Sequence, residues 1–283
     1  MLKLCFNATT LRYMDIFEAL KQVKDAGYEA VEIALNDTHL HPYISSDEKI
    51  KSVRNYCDEI GLVIASVAAG GPNYLTKEDY EPSMICDDAK GRRMRLDSYK
   101  AAIELGEKIG SPLVNVNSGI LKDQSAQKAD EYFRSGMEEL IKECDKTTLV
   151  LEQEPGFYVG TTDMAIKYIT EINSPKLKFN LDIGHVFCCE SEEECYDNVC
   201  KSLPYAAHIH IEDIKDRIHF HQIPGEGDID FARIVDMIEQ SVFDGYVCVE
   251  LHNHDQDWLR ALCQSRSYLL DLTQSEKSPT SKR

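Results

Sequence analysis

The chain has 283 residues, with 49 acidic and 31 basic side chains and a formal net charge of −18 at pH 7. Hydrophobic residues make up 43% and charged residues 28%, a globular composition that excludes wholesale disorder. So acidic a balance argues against nucleic acid or an anionic membrane as a partner, because both select for Lys and Arg.

The N-terminus and the cysteines indicate the compartment in which the protein works. Met1–Phe6 is an apolar run too short for a signal peptide, and no apolar run approaches the ~18 residues of a membrane span. Ten cysteines occur without a CxxC pair, and the group Cys188, Cys189, Cys195 and Cys200 has no standard zinc-module spacing. We therefore expect reduced thiols, some packed as small apolar side chains, in a cytoplasmic protein.

Short β-rich runs alternate with amphipathic stretches along the chain. Several of these runs follow a glycine, such as Gly27 or Gly61, that can end a helix in the left-handed conformation. Apolar side chains three or four residues apart, such as Ile16, Leu20 and Val23, predict helices between the runs. The predicted strands are Leu2–Phe6, Ala30–Leu35, Leu62–Val67, Leu113–Asn117, Thr148–Leu151, Leu177–Leu181, Ala206–Ile211 and Tyr246–Leu251.

Eight strands alternating with helices predict an α/β protein, a single (β/α)8 TIM barrel over residues 1–272. An open, doubly wound sheet is the alternative, which the absence of an opening GxGxxG motif weakens. Residues 273–283 (TQSEKSPTSKR) are polar and predict a disordered tail.

One long irregular connection, Ala69–Lys90, follows the third predicted strand and contains Tyr74 and Tyr80. In a barrel this position lies on the C-terminal face, where active sites are built. The connection is therefore a candidate lid or specificity loop, and an inert surface excursion is the alternative.

Four polar side chains lie at or near the ends of four successive strands. Glu152, Asp182 and Glu250 directly follow apolar runs, and His210 lies near the end of the seventh run. Strand ends of consecutive units converge on one ring at the top of a barrel, so these side chains are expected to meet. Three carboxylates and one imidazole form an oxygen-rich set that favours Mn²⁺, Mg²⁺ or Co²⁺.

Two further histidines lie close to this ring in the sequence. In LDIGH the chain turns at Gly184, so His185 can face the site of Asp182 and bind substrate or a second metal; helix capping is the alternative. His208 precedes His210 by two residues and points the same way in a strand. It either shares the site or lies one layer lower in the barrel, supporting His210, and we prefer the lower position.

The segment HIHIEDIKDRIHFHQIPGEGDIDF, together with LEQEPG, LDIGH and VCVEL, resembles the xylose isomerase-like TIM-barrel superfamily. That group includes sugar-phosphate isomerases, ketose 3-epimerases, inosose dehydratase and the endonuclease IV type of abasic-site endonuclease. The resemblance covers residues 1–270. It implies that Glu152, Asp182, His210 and Glu250 hold one divalent ion, usually Mn²⁺, with Mg²⁺, Co²⁺ and Zn²⁺ as alternatives.

The resemblance also implies roles at the substrate. Glu152 and Glu250 would be the acid and base on opposite faces of the reacting carbon, and His185 and Arg217 would contact substrate oxygens. Glu154, two residues past Glu152, is a substrate-binding residue or replaces Glu152 as the metal ligand.

His219 and His221 flank Phe220 just before PGEG, where multinuclear members of the group carry a metal-binding pair. Substrate contacts or loop packing are the preferred interpretation of these histidines, with His221 as a substrate-binding residue. A second metal near the pair is the alternative.

The function predicted from this resemblance is a metal-dependent sugar isomerase or epimerase. It would remove a proton next to a carbonyl through a metal-stabilised enediolate. A lyase acting on a keto-cyclitol or keto-glycoside, and a non-catalytic sugar-binding subunit, are the alternatives. DNA repair is disfavoured because the third and fourth strand ends, SVAAGG and NVNSGI, lack histidine.

The expected substrate is a small, unphosphorylated sugar or cyclitol. The PGEG loop carries an acid, and the basic run Lys90–Arg95 is more typical of a solvated helix end than of a phosphate site. The resemblance suggests a homo-oligomer, and no nucleic acid or membrane partner is expected.

Overall fold

The computed structural model describes residues 2–71 and 75–275, which contain ten strands and nine α-helices. The strands are β1 (Leu4–Asn7), β2 (Ala30–Ala34), β3 (Val63–Ala68), β4 (Leu113–Val116), β5 (Thr148–Glu152), β6 (Leu177–Asp182), β7 (Ala206–Ile211), β8 (Asp213–Lys215), β9 (Ile218–Gln222) and β10 (Tyr246–Val249). The helices are α1 (Ile16–Asp25), α2 (Asp47–Ile60), α3 (Ala89–Ile109), α4 (Ala126–Ile141), α5 (Thr162–Ile172), α6 (Ile183–Cys189), α7 (Cys195–Ser202), α8 (Phe231–Gln240) and α9 (Trp258–Ser275).

Eight of the strands form a closed parallel barrel in the order β1-β10-β7-β6-β5-β4-β3-β2. The ring closes where β1 pairs with β10, which sets Cys5 opposite Cys248. These are the eight predicted strands, with ends that differ by at most two residues. The single (β/α)8 barrel is therefore confirmed and the open sheet is excluded.

Helix ends follow the sequence signals that predicted them. Ser46 accepts a hydrogen bond from the Lys49 N–H at the start of α2, and Gly61 ends this helix with a φ of 63°. The chain then enters β3 directly. Each such unit returns the chain to the same end of the barrel, so the segments that follow the strands gather on one face.

A short antiparallel hairpin, β8–β9, follows β7 and was not predicted. Lys215 pairs with Ile218, and the two residues between them, Asp216 and Arg217, have positive φ values of 53° and 58°. Such a turn normally pairs Asn, Asp or Gly with a following glycine, and Arg217 stands where that glycine is expected, so the hairpin signal in the sequence was incomplete. Alternate residues of β9 point the same way, which brings His219 and His221 to the same side.

The glycine loop after β9 is closed by Asp213. Its Oδ2 accepts the N–H groups of Gly225 (2.9 Å) and Gly227 (2.8 Å), and its Oδ1 those of Ile214 (2.9 Å) and Ile229 (3.1 Å). A β-carbon on Gly227 would overlap the Asp213 carboxylate. Asp213, the last residue of the HIHIED motif, thus forms one structural unit with the PGEG loop.

Part of the connection between β3 and α3 is packed against the barrel. Met84 and Ile85 are fully buried, and the Tyr80 ring packs edge-on against Phe157 with 4.8 Å between centroids. Tyr74 lies outside the described residues.

The C-terminal helix α9 continues to Ser275, three residues past the predicted barrel boundary. The rest of the predicted tail, residues 276–283, lies outside the described residues. In the described part of the chain, no helix is both long and apolar enough to cross a membrane.

Candidate active site

The four predicted ring residues meet at the C-terminal end of the barrel. Glu152 ends β5, Asp182 ends β6, His210 lies in β7 and Glu250 follows β10. One side-chain donor atom from each residue lies within 4.8 Å of the others. Asp182 and His210 are fully buried, and the two glutamates are 5% exposed.

The Nδ1 atom of His210 stands at the centre of this group. It lies 2.8 Å from Glu152 Oε1, 3.2 Å from Glu250 Oε2 and 3.7 Å from Asp182 Oδ2. Burial alone would lower the pKa of His210, but Glu250, Glu32 and Glu152 raise it well above its usual range.

Side-chain amides from the barrel interior hold the two glutamates. Asn115 and Asn180 donate to the two carboxylate oxygens of Glu152, at 2.6 Å and 3.0 Å. Asn7 donates to Glu250 Oε1 at 2.7 Å. The sequence reasoning missed these asparagines, although they lie in strands next to the ring.

The two glutamates differ in their electrostatic surroundings. Burial raises the pKa of Glu152, and the neighbouring carboxylates of Glu250 and Asp182 add to this. Burial also favours a raised pKa at Glu250, but His210 and His252 outweigh it and lower that pKa to about 2. His252 was missed by the sequence reasoning; its Nε2 lies 3.5 Å from Glu250 Oε1.

Asp182 has two roles, one for each carboxylate oxygen. Its Oδ1 accepts the His185 N–H at 2.7 Å and caps helix α6. Its Oδ2 is buried and accepts no hydrogen bond from the described residues. The helix cap that the sequence left open for His185 thus belongs to Asp182.

Three imidazoles converge above the ring. His185 donates from Nδ1 to the Gln153 carbonyl at 2.7 Å, and His221 donates from Nδ1 to the Glu250 carbonyl at 2.9 Å. Their Nε2 atoms each lie 3.0 Å from His219 Nε2. Burial lowers the pKa of His219 to about 4, and it also lowers that of His221.

Glu154 lies outside the four-residue ring. It groups instead with Glu152 and His185, and its Oε2 is 3.8 Å from His185 Nε2. Burial raises the pKa of Glu154 to about 8, although His185 acts in the opposite direction. Of the two glutamates that the sequence left as candidate ligands, Glu152 is the one beside Asp182, His210 and Glu250.

His208 lies in the barrel interior beneath His210. It is fully buried, its ring centroid is 5.3 Å from that of His210, and its Nε2 is 3.4 Å from Glu32 Oε2. This is the lower of the two positions that the sequence allowed.

A cavity of about 550 Å³ opens above the ring. Its lining includes Tyr80 from the β3–α3 connection, both ring glutamates, and the polar side chains Glu154, His185, His219, His221, His252 and Asn253. Among the described lining residues, Arg12 is the one arginine or lysine. Its guanidinium donates to the His252 carbonyl (2.9 Å) and to Asp255 (3.3 Å).

Arg217 and the predicted basic run lie elsewhere. Arg217 is at the tip of the β8–β9 hairpin, does not belong to the described cavity lining, and donates to the Glu190 carbonyl. Its predicted contact with substrate requires the side chain to leave that carbonyl. In the basic run, Arg93 pairs with Glu139 and Arg95 donates to the Pro82 carbonyl, so both are held by protein groups.

The sequence profile of the xylose isomerase-like TIM barrel family matches residues 20–271, which is most of the chain. The chain belongs to the xylose isomerase-like TIM barrel family. The curated relatives of this chain include L-ribulose-5-phosphate 3-epimerase UlaE of Shigella flexneri serotype 5b. It is 20% identical to this chain, and the match covers 83% of this chain and 81% of the relative. UlaE of Shigella boydii serotype 18 is 22% identical over 86% of this chain and 88% of the relative.

Solved structures with the same barrel include one named as a sugar epimerase and one named as epimerase-like. A D-tagatose 3-epimerase-like protein superposes with a TM-score of 0.81 at 18% identity, covering 97% of this chain and 98% of that one. The 3-keto-D-glucoside 4-epimerase YcjR of E. coli has a TM-score of 0.75 at 16% identity, covering 94% of this chain and 100% of that one. The IOLI protein with a bound zinc atom has a TM-score of 0.79 at 19% identity, covering 98% of this chain and 100% of that one.

Proposed function

We propose that this family member is a divalent-metal-dependent epimerase or isomerase of a small, unphosphorylated sugar or cyclitol ketone. The observation that carries the proposal is the meeting of Glu152, Asp182, His210 and Glu250 within 4.8 Å beneath an open cavity. The named activities of the relatives, which are sugar epimerases, favour the same chemistry.

The donor set fits a divalent ion. It offers three carboxylates and one imidazole nitrogen, and the buried Oδ2 of Asp182 has no other hydrogen-bond donor in the described structure. Such a set suits Mn²⁺, our preferred ion, with Mg²⁺, Co²⁺ and Zn²⁺ as alternatives. When bound, the ion would polarise the substrate carbonyl and stabilise the negative charge that develops on its oxygen.

The two ring glutamates would move the protons. One removes the proton from the carbon next to the carbonyl, and the other returns a proton from the opposite face. Asn115 and Asn180 hold Glu152, and Asn7 holds Glu250, so each carboxylate is oriented before substrate arrives. His185, Glu154 and His221 would bind the substrate hydroxyls, because they line the same cavity.

The basic side chains of the cavity support an unphosphorylated substrate. Among the described lining residues Arg12 is the one arginine or lysine, and its guanidinium is already engaged by Asp255 and a backbone carbonyl. A phosphate dianion would therefore find no free arginine or lysine among them. This distinguishes the proposed substrate from the phosphorylated sugar named for the curated relatives.

The cellular setting is part of the proposal. All ten cysteines are free thiols, which suits the cytoplasm. The net charge of −18 disfavours nucleic acid and anionic membranes as partners. The family resemblance favours a homo-oligomer.

Proton exchange from D₂O tests the proposed reaction. Protein supplied with Mn²⁺ is incubated with ketoses, keto-cyclitols, 3-keto glycosides and the phosphate ester of each ketose, and the products are analysed by mass spectrometry. One deuterium at a single carbon of an unphosphorylated compound, with an otherwise unchanged mass, is the expected result. A product lighter by water, or a released aglycone, would establish a lyase instead. Sugar binding without exchange on any compound would indicate a non-catalytic barrel.

A further inference from the structure

Glu32 is a buried carboxylate that lies beneath the ring and does not reach the cavity. It lies in β2 with 0% exposure, on a different strand from the four ring residues. Its Oε1 is 2.9 Å from His210 Nε2 and accepts a hydrogen bond from Asn7 Nδ2 at 2.7 Å. Burying a carboxylate costs free energy unless hydrogen bonds or charged partners compensate for the lost water. We therefore expect these contacts of Glu32 to have a specific role.

The contact with His210 assigns the two ring nitrogens different roles. Carboxylate oxygens can only accept, and both ring nitrogens face one, Nε2 at Glu32 and Nδ1 at Glu152, so the two differ in which carboxylates they face. Nδ1 is directed at Glu152, Glu250 and Asp182. An ion held by these three carboxylates would take the place of the proton on Nδ1 and leave the proton that Nε2 shares with Glu32.

Asn7 extends the same arrangement to a second ring residue. Its Oδ1 accepts the Thr9 N–H at 2.8 Å, which sets the orientation of the amide. Its Nδ2 then donates to Glu32 Oε1 and to Glu250 Oε1, both at 2.7 Å. Glu32 therefore orients His210 directly and Glu250 through one intervening amide.

We propose that Glu32 is a positioning residue that sets the affinity of the ring for a divalent ion by directing Nδ1 of His210 and, through Asn7, the carboxylate of Glu250. Outer partners that fix the ring orientation of a metal-binding histidine typically contribute about 10–100-fold to metal affinity. The inference rests on the proposed function only in taking the four-residue ring as the metal site.

The test compares Co²⁺ and Mn²⁺ dissociation constants of the wild type and Glu32→Gln by titration calorimetry. Glu32→Gln keeps the side-chain shape, and we expect its metal affinity to fall about 10–100-fold with a changed visible spectrum of the Co²⁺ form. The matched control is Glu29→Gln, an exposed acid just before the same strand, which should bind as the wild type does. Equal affinity and an unchanged Co²⁺ spectrum in Glu32→Gln would overturn the inference and leave the proposed metal site intact.

Absence of metal binding by the wild type would overturn both the inference and the proposed metal dependence. A second measurement needs no Glu32 variant. In zinc-loaded protein labelled with ¹⁵N-histidine, the His210 signals, identified by their loss in His210→Gln, should show a protonated Nε2 and a metal-bound Nδ1. The reverse assignment would overturn the inference even if Glu32→Gln did not fold.

Discussion

Gly184 and Glu212 are in such close contact that a β-carbon on Gly184 would overlap the Glu212 carboxyl group. Glu212 follows β7 and is fully buried, and Gly184 lies in the first turn of α6, directly after Asp182 and Ile183. Burial raises the pKa of Glu212 well above its usual range, and the carboxylates of Asp182 and Glu250 add to this effect. The glycine of LDIGH is thus required by packing between two segments that carry ring residues.

Gly184→Ala should therefore destabilise the fold. Overpacking of a well-filled interior costs about 1–3 kcal/mol, and the Glu212 side chain that would have to move is fully buried. Urea unfolding of the metal-free protein measures the change in free energy of unfolding. Gly71→Ala is the matched control, since a β-carbon there has no neighbour within 4 Å among the described residues. Equal stability of the two variants would show that the Glu212 side chain adjusts without cost.

Glu107 should stabilise the loop before β5 in a pH-dependent way. Its Oε1 accepts the N–H groups of Asp145 (3.1 Å), Lys146 (2.6 Å) and Thr147 (2.8 Å). Partial burial alone would raise the pKa of Glu107, but these hydrogen bonds outweigh it and lower the pKa. A carboxyl group whose pKa is lower in the folded protein stabilises it above the unfolded pKa of about 4.3, and less as pH falls below that.

Glu107→Gln should lower the free energy of unfolding by about 1–2 kcal/mol at neutral pH, as expected when a charged acceptor is lost. The difference from the wild type should shrink as the pH is lowered from neutral towards 3, because protonation removes the same charge. Urea unfolding across this pH range measures it, with Glu104→Gln on the same helix as the exposed control. A difference that stayed constant with pH would contradict the assignment.

The residues that could be predicted from the sequence are those whose chemical type contrasts with their neighbours. Glu152 and Glu250 each follow a continuous apolar run, and Asp182 follows the mainly apolar run Leu177–Leu181, so a charge at that point indicates a site. The same contrast could not choose between Glu152 and Glu154, because both follow the run of β5. The structure distinguishes them because β5 ends at Glu152, so Glu152 lies in the strand and Glu154 lies in the loop that follows.

The supporting residues carry no such signal. Asn7, Asn115 and Asn180 are single uncharged amides in buried strands, and nothing in their spacing reveals that they donate to the ring glutamates. Glu32 is charged but lies inside β2 rather than at its end. The partners of these side chains come from other strands, so they are known only once the barrel has closed.

Metal content should distinguish the carboxylate ring from the group of His185, His219 and His221. We expect one divalent ion per chain, lost on His210→Gln and retained on His219→Ala, because His210 belongs to the carboxylate ring and His219 does not. Removal of the ion with a chelator should lower the unfolding temperature, since a ligand at 1,000 times its Kd stabilises the folded state by about 4 kcal/mol. Elemental analysis and thermal unfolding measure both effects. Two ions in the wild type and one in His219→Ala would instead place a second ion at His185, His219 and His221.

Substitution of the two ring glutamates should separate the two proton transfers. Each of Glu152→Gln and Glu250→Gln, assayed at saturating metal, should slow epimerisation by about 10²–10⁴-fold, the usual contribution of a positioned acid or base. The variant that lacks the base for a given epimer should also lose deuterium exchange into that epimer. The variant that lacks the opposite glutamate should still exchange its proton while failing to invert the carbon.

Glu154→Gln provides the control in the same cavity, because Glu154 lies outside the four-residue ring. As a residue that binds substrate hydroxyls, it should change KM more than kcat. Mass spectrometry of the exchange and chromatography of the two epimers report on the two steps separately. If both ring variants lost exchange and inversion equally towards both epimers at saturating metal, one glutamate would not serve each face. If both kept full activity, the acid and base would have to be sought elsewhere in the cavity, beginning with Glu154 and His185.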